Sequence, residues 1–412
     1  MTQHEVVEIC AGAGGQALGL EKAGFEHALA VELDENACNT LRANRSSWKV
    51  AEGDVADPSV WDPADYRGVA LLAGGVPCPP FSIAGKQLGA NDERDLFAWA
   101  VEQVAVMRPR ALLLENVRGL SMPRFAGYRQ HVLDRLTQLG YVAEWALLHA
   151  SDFGVPQLRP RFLLVALRPE DARYFHWPEP VGPPPTVGET LVDLMQADGW
   201  RGADAWAKKA NKIAPTIVGG SKKHGGADLG PTRAKRAWAE MGVDALGVAD
   251  APPTADAPVD HVPKLTCEMV ARIQGWSAEY PWEFTGRKTS RYRQIGNAFP
   301  PPVAHAIGVA IMRAFQHEGR PRELENTEHD PLYKALRSSA DFVTPERLMK
   351  SADISDVAEL ERRIGLLSRD FDLEIKTEGS KTRYKLGQFR AFIGQDDHER
   401  HDLFLQHRAR IS

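Results

Sequence analysis

No two of the four cysteines in this 412-residue chain stand close together; Cys10, Cys38, Cys78 and Cys267 are scattered, with no Cys-x-x-Cys pair. That spacing speaks against a disulfide framework and a zinc site, and it fits a reducing compartment such as the cytoplasm. No metal site is expected. The chain also lacks an apolar run of roughly 18 residues, the length needed to span a membrane. Its first residues, Met1 to Glu5, lack the basic-then-apolar pattern of a secretory signal. There are no repeats. There is no excess of basic charge either: the net charge is -5. Total charge therefore does not point to nucleic acid, and its distribution matters more. What remains is ordinary globular composition, 43% hydrophobic and 25% charged. A chain of this size builds two or three domains and needs no staples.

The first 167 residues alternate short apolar runs with amphipathic stretches. Val6–Cys10, Ala28–Glu32, Val69–Ala73, Ala111–Leu114 and Phe162–Leu167 read as strands. Gln16–Ala23, Glu35–Asn44 and Leu96–Met107 read as helices. Near-continuous apolar strands alternating with helices predict a doubly wound, mostly parallel sheet covered on both faces. The texture changes after Arg168. Pro178–Thr186 is a proline-rich linker, and Ala249–Pro263 a second one. Between them, Arg201 to Met241 carries nine basic side chains against three acidic ones. Helix returns from Lys264, with a proline-started helix near Pro302 to Phe315. Beyond Arg320 the chain reads as a separate unit: helices over Leu332–Ser338, Pro345–Ser351 and Val357–Phe371, then strands Leu373–Lys376 and Arg383–Leu386. Three helices and a hairpin is the order of a winged helix, which serves DNA binding or protein packing with equal ease.

Three successive strand ends carry chemistry. Cys10-Ala-Gly12-Ala-Gly14-Gly15 gives a tight turn that lets backbone approach a ligand. Glu32 ends the next strand, where a carboxylate accepts from ribose hydroxyls. Asp54 ends the third and suits an adenine amino group. Each is also readable as an exposed capping carboxylate; together they favour an adenosine site, which a dinucleotide oxidoreductase would share. A fourth strand end carries Gly74-Gly75-Val76-Pro77-Cys78-Pro79-Pro80-Phe81-Ser82. A lone cysteine is usually a small core residue, but this one sits in a stiff proline loop at the ligand-binding edge. Glu115-Asn116-Val117 follows the strand Ala111–Leu114. Gln157-Leu-Arg159-Pro-Arg161 precedes the last strand and offers two guanidiniums on one face.

This ordered set resembles the DNA cytosine-5 methyltransferase family, of the bacterial restriction-modification type, over roughly residues 5 to 316. The resemblance also rests on Asp92-Glu-Arg-Asp-Leu96-Phe97, on Leu265–Trp276 and on Gln294-Ile-Gly296-Asn297-Ala-Phe-Pro300-Pro301. It implies a Rossmann-like catalytic domain over 1–177, a target-recognition domain over 178–263, a return to the catalytic domain over 264–320 and an accessory winged-helix-like module over 321–412. It implies S-adenosylmethionine as cofactor, held by Cys10, Ala11, Gly12, Gly14, Gly15, Glu32, Leu33, Asp54, Val55, Pro77, Leu96, Asn297 and Ala298. Cys78 is the implied nucleophile toward cytosine carbon 6 and Glu115 the proton partner of N3. Arg161, and with it Arg159, would hydrogen-bond the cytosine carbonyl oxygen, and Asn116 would pin the loop. The target base is flipped out of double-stranded DNA. The basic insert would supply contacts from Lys208, Lys209, Lys212, Lys222, Lys223, Arg233, Lys235 and Arg236, with Arg233 and Arg236 as base readers. The resemblance further implies a monomer on DNA in the bacterial nucleoid, paired with a restriction endonuclease. Two positions depart from the pattern: the family usually has an aromatic residue at Cys10 and glutamine at Pro79. An RNA cytosine methyltransferase shares the catalytic set, and a silent DNA-binding regulator shares the fold.

Overall fold

The computed structural model describes residues 4–76, 93–220, 226–324, 329–378 and 381–389. Its centre is a seven-stranded sheet in the order β3-β2-β1-β4-β5-β7-β6. The strands are β1 (Glu5–Ile9), β2 (Glu26–Glu32), β3 (Val50–Glu52), β4 (Leu71–Gly74), β5 (Ala111–Val117), β6 (Val142–His149) and β7 (Pro160–Leu167). The helices among and after them are α1 (Gly15–Lys22), α2 (Glu35–Asn44), α3 (Glu93–Met107), α4 (Ala126–Gln138) and α5 (Pro169–Ala172). The apolar runs of β1, β4 and β5 are buried along almost their whole length. They form the middle of the sheet, where helices cover both faces.

Six strands run parallel, but β7 is antiparallel to both β5 and β6. The sequence reading placed Phe162–Leu167 in the sheet without this reversal, and it did not identify β6 or α4. The reason lies in the connection. Only Ala150 to Arg159 separate β6 from β7, a link with no room for the long crossover that a parallel pair needs. The reversal positions the site. Parallel strands bring their carboxyl ends to one edge, and an antiparallel neighbour brings its amino end there. Arg161, near the start of β7, thus reaches the same edge as Glu115 near the end of β5.

The chain then builds α6 (Val187–Gln196), α7 (Ala203–Lys209), α8 (Thr232–Glu240) and α9 (Cys267–Ile273), followed by α10 (Lys288–Asn297) and α11 (Pro301–Phe315). A second apolar core gathers Trp200, Trp206 and Trp238 with Leu265, Met269 and Tyr292. Both proline-rich stretches are irregular. Helix α11 returns to the sheet and lies on α1. A Cβ on Gly15 would stand 2.3 Å from the Phe299 carbonyl oxygen, and one on Gly19 2.5 Å from the Ala304 Cβ. Small residues here permit the close approach that brings Ala298 and Phe299 against the glycine turn.

The tail contains α12 (Pro331–Arg337), α13 (Pro345–Ser351), α14 (Val357–Leu367), β8 (Phe371–Glu378) and β9 (Lys381–Phe389), the last two forming an antiparallel hairpin. These are the elements read from sequence. The tail nonetheless shares its core with the catalytic sheet. His131 of α4 stacks on Phe389 at 4.4 Å, and its Nδ1 lies 3.1 Å from the Tyr333 hydroxyl. Leu367 fills the space above Gly127, where a Cβ would meet it at 2.3 Å. Burial, with Arg337 and Arg135 nearby, lowers the His131 pKa to about 4, so this imidazole stays neutral at neutral pH. Among the described residues, no helix is long and apolar enough to cross a membrane.

Candidate active site at the carboxyl edge of the sheet

The glycine turn leaves β1 through an unusual backbone. Cys10, Gly12 and Gly14 all have left-handed φ, at 51°, 55° and 90°. Glycine adopts this region freely; cysteine does so at a cost of about 1–2 kcal/mol. A Cβ on Gly12 would meet nothing within 4 Å, so the turn opens onto free space there. Glu32, at the end of β2, anchors the turn: its carboxylate accepts from the Gly12 N–H at 2.7 Å and from the Asp34 N–H at 2.8 Å. Burial pushes the Glu32 carboxyl up, and these N–H groups hold it down. Leu33 beside it is half exposed, at 51%. Asp54, beyond β3, accepts from the Ala56 N–H at 3.0 Å, and Val55 is buried on the Trp61 side of the core. Leu96 packs partly buried on the same core. The Cys10 thiol is pushed far above its ordinary pKa, by burial first and then by Glu32 and Asp54. It is a neutral packing group, not a second nucleophile.

Trp282 was not anticipated. Its Nε1 donates to the Ala13 carbonyl at 2.9 Å, and its ring stands 2.5 Å from where a Gly14 Cβ would be. It comes from an irregular segment between α9 and α10, where no periodicity singles out one tryptophan.

The edge to which the sequence reading assigns the reaction lies on β4, β5 and β7. Glu115 Oε1 is 2.6 Å from Arg161 Nε, and both side chains are about nine-tenths buried. Burial raises the Glu115 carboxyl, against the opposing pull of Arg161 and then Arg159. A Cβ on Gly75 would lie 3.3 Å from Glu115 Oε2. The carboxyl thus sits against bare backbone three residues before Cys78. Asn116 Nδ2 donates to the Val76 carbonyl at 3.5 Å. Pro77, Cys78, Pro79 and Phe81 lie outside the described residues, as do Lys222 and Lys223.

Arg159 is not where the sequence reading put it. Its guanidinium is buried and donates to three backbone carbonyls: Ile217 at 2.6 Å, Gly296 at 2.8 Å and Ala298 at 2.9 Å. It stands just before β7, whereas Arg161 lies within it. Arg161 alone contacts Glu115. Gly219 backs onto Gly296, and Asn297 Nδ2 donates to the Gly220 carbonyl at 3.2 Å. Two backbones far apart in sequence thus come into direct contact.

In the basic region, Lys208, Lys209, Arg233 and Arg236 are exposed. Lys212 is paired with Glu240 at 3.2 Å and Lys235 with Asp228 at 2.9 Å, so these two present neutralised charge.

A mostly parallel sheet in this strand order, with a glycine turn and a strand-end glutamate, defines a Rossmann-like methyltransferase fold. The C-5 cytosine-specific DNA methylase family model matches residues 4–313, and the chain belongs to that family as a DNA cytosine-5 methyltransferase. It is 68% identical to the Type II methyltransferase M.NaeI of Lentzea aerocolonigenes over the whole of both chains. It is 50% identical to M.NgoMIV of Neisseria gonorrhoeae over 77% of this chain and 99% of that one. Among solved structures, Spodoptera frugiperda DNMT2 matches in fold with a TM-score of 0.53 at 17% identity, over 75% of this chain and 100% of that one.

Proposed function

We propose that this enzyme transfers the methyl group of S-adenosylmethionine to carbon 5 of a cytosine flipped out of a specific duplex DNA sequence, by way of a covalent bond from Cys78 to carbon 6. We further propose that it shields host DNA from a paired restriction endonuclease, and that it acts as a monomer in the bacterial cytoplasm. The observation that carries this reading is the buried Glu115–Arg161 pair beneath Gly75.

The glycine-turn edge fits the cofactor. The free space at Gly12 accepts a ligand, and the two N–H groups on Glu32 fix its carboxylate to receive ribose hydroxyls. Asp54 and Val55 suit the adenine, and Asn297, at the end of α10 and followed by Ala298 against Gly15, would complete the pocket. When bound, the cofactor supplies an electrophilic methyl group.

Cytosine carbon 5 is a poor nucleophile until carbon 6 carries an added thiolate. Cys78 adds there, and electron density moves toward carbon 5 and N3. Glu115, its proton retained by burial, donates to N3 as that charge develops. Arg161 donates to the cytosine carbonyl oxygen and holds the Glu115 carboxyl in place. Carbon 5 would then take the methyl group as its bond to the sulfonium sulfur breaks, the electron pair staying on sulfur as a neutral thioether. Loss of the carbon-5 proton to a base expels the Cys78 thiolate and restores the ring. The exposed Lys208, Lys209, Arg233 and Arg236 suit phosphate and base contacts on the duplex; Lys222 and Lys223 are proposed with them from sequence alone.

Methyl incorporation from labelled S-adenosylmethionine separates the substrates. Duplex DNA should be labelled at cytosine, with bisulfite sequencing giving the context. Labelled tRNA beside inert DNA would overturn the reading.

A further inference from the structure

The recognition segment and the methyl-donor pocket meet in a polar seam that the chemistry above leaves unexplained. From the Ile217 N–H, a hydrogen bond of 2.9 Å runs to Gln157 Oε1. Gln157 Nε2 donates to Gln274 Oε1 at 2.6 Å, and Gln274 Nε2 donates to the Ile295 carbonyl at 2.8 Å. Both glutamines are fully buried. Arg159 runs a second line across the same gap, from the Ile217 carbonyl to those of Gly296 and Ala298. Between the two lines the backbones touch. A Cβ on Gly219 would lie 2.6 Å from Asn297 Oδ1 and 2.6 Å from the Arg293 carbonyl, and one on Gly296 2.6 Å from the Gly219 Cα.

These contacts have a direction of use. A buried guanidinium is costly unless its N–H groups are satisfied, and here backbone carbonyls from two separate segments take both terminal nitrogens, while Nε has no partner among the described residues. One of those segments leads into the basic recognition region; the other carries Asn297 and Ala298 of the donor pocket. No flexible side chain separates Gly219 from Gly296, so a shift of either backbone is passed to the other. We infer that the Gln157–Arg159–Gln274 seam couples the two ligands, so that cofactor binding orders Ile217–Gly220 and DNA binding tightens the cofactor pocket. Arg159 is on this account a positioning residue, and it touches neither substrate. The inference rests on the proposed placement of the cofactor between Gly12, Glu32 and Asn297. Linkage makes the effect reciprocal: the factor by which DNA raises cofactor affinity equals the factor by which cofactor raises DNA affinity.

Hydrogen exchange on the full-length wild-type chain, with and without S-adenosylhomocysteine, tests this with no substitution. Slowed exchange at the Gly12 and Asp34 amides reports the ligand in its pocket. The inference expects slowing at Ile217 through Gly220 as well. Protection at Gly12 and Asp34 with no change at Ile217–Gly220 overturns the coupling and leaves the pocket assignment standing. No protection at either place, with ligand at saturation, overturns both. Calorimetry then measures S-adenosylhomocysteine affinity with and without a duplex that the enzyme methylates. The wild type should gain at least about fivefold with DNA. Arg159→Lys keeps the charge but cannot span three carbonyls, and should gain less than about twofold. Gly219→Ala leaves Arg159 intact and should show the same loss, which guards against an Arg159 variant that fails to fold. A purely structural role would lower the melting temperature and leave the ratio unchanged; a wild-type ratio in a folded variant contradicts the inference.

Discussion

Two carboxylates at one sheet edge, the part-buried Glu32 and the buried Glu115, are both pushed up by desolvation, yet they are held in different ways. Glu32 receives two backbone N–H groups, dipoles fixed by the fold. Glu115 faces a guanidinium on a neighbouring strand and the bare backbone of Gly75. Fixed N–H dipoles orient an anion that has only to accept from hydroxyls. A carboxyl opposed by a charge across a strand, in a dry setting, is poised to give up or share a proton. On the proposed function, the difference separates a binding edge from a reacting edge within one sheet. It also assigns Arg159 and Arg161, two residues apart, to different duties.

The largest expected effect is on the reacting edge. Glu115→Gln keeps the shape but cannot transfer a proton, so kcat should fall roughly 10²–10⁴-fold while cofactor affinity stays near wild type. Single-turnover kinetics with calorimetry checks both. The same carboxyl sets a pH limb. Burial raises its pKa, so the protonated form persists above the ordinary carboxylate range and is lost as pH rises through that elevated value. Activity carried by the proton should decline along that limb, and the residual activity of Glu115→Gln should lack it. Glu32→Ala should do the opposite: weaker cofactor binding by about 10–100-fold, as for loss of hydrogen bonds to a charged group, with kcat recovering at saturating cofactor. A fall in kcat at saturation would erase the distinction between the edges. Gly12→Ala, at a left-handed φ, should cost about 1–2 kcal/mol in stability and narrow the cofactor cradle.

Removal of residues 321–412 tests a third region. Read as a separate unit, the tail should leave the chemistry intact when deleted. The structure changes that expectation, because His131, Tyr128 and Phe125 lose their cover. The truncated chain should melt several degrees lower yet keep measurable turnover. M.NgoMIV is matched over 99% of its length by 77% of this chain, so nearly a quarter of the chain has no counterpart in that relative. An unchanged melting temperature would show that the tail is independent after all.

The strands and the glycine turn were legible because buried parallel strands write long apolar runs, and strand ends punctuate them. Helix α2 and helix α13 have the bounds that periodicity gave them. Strand β6 was not legible: it is an edge strand, half-buried along its length, with no clean alternation. The reversal of β7 was hidden because strand direction leaves no mark in composition. Arg159 looked like a twin of Arg161 because both stand in one short motif. Only the fold shows that Ile217, Gly296 and Ala298 converge on it from far along the chain. The tail's elements were readable, but not its docking, since α4 itself was missed.

Duplex DNA carrying 5-fluorocytosine at the target position tests the central claim most directly, because fluorine cannot leave carbon 5 as a proton does. With S-adenosylmethionine present, the wild type should form a denaturation-resistant complex with this DNA, and Cys78→Ser should bind the duplex without forming it. Turnover on ordinary DNA with no trapped complex, or trapping that survives Cys78→Ser, would contradict the account.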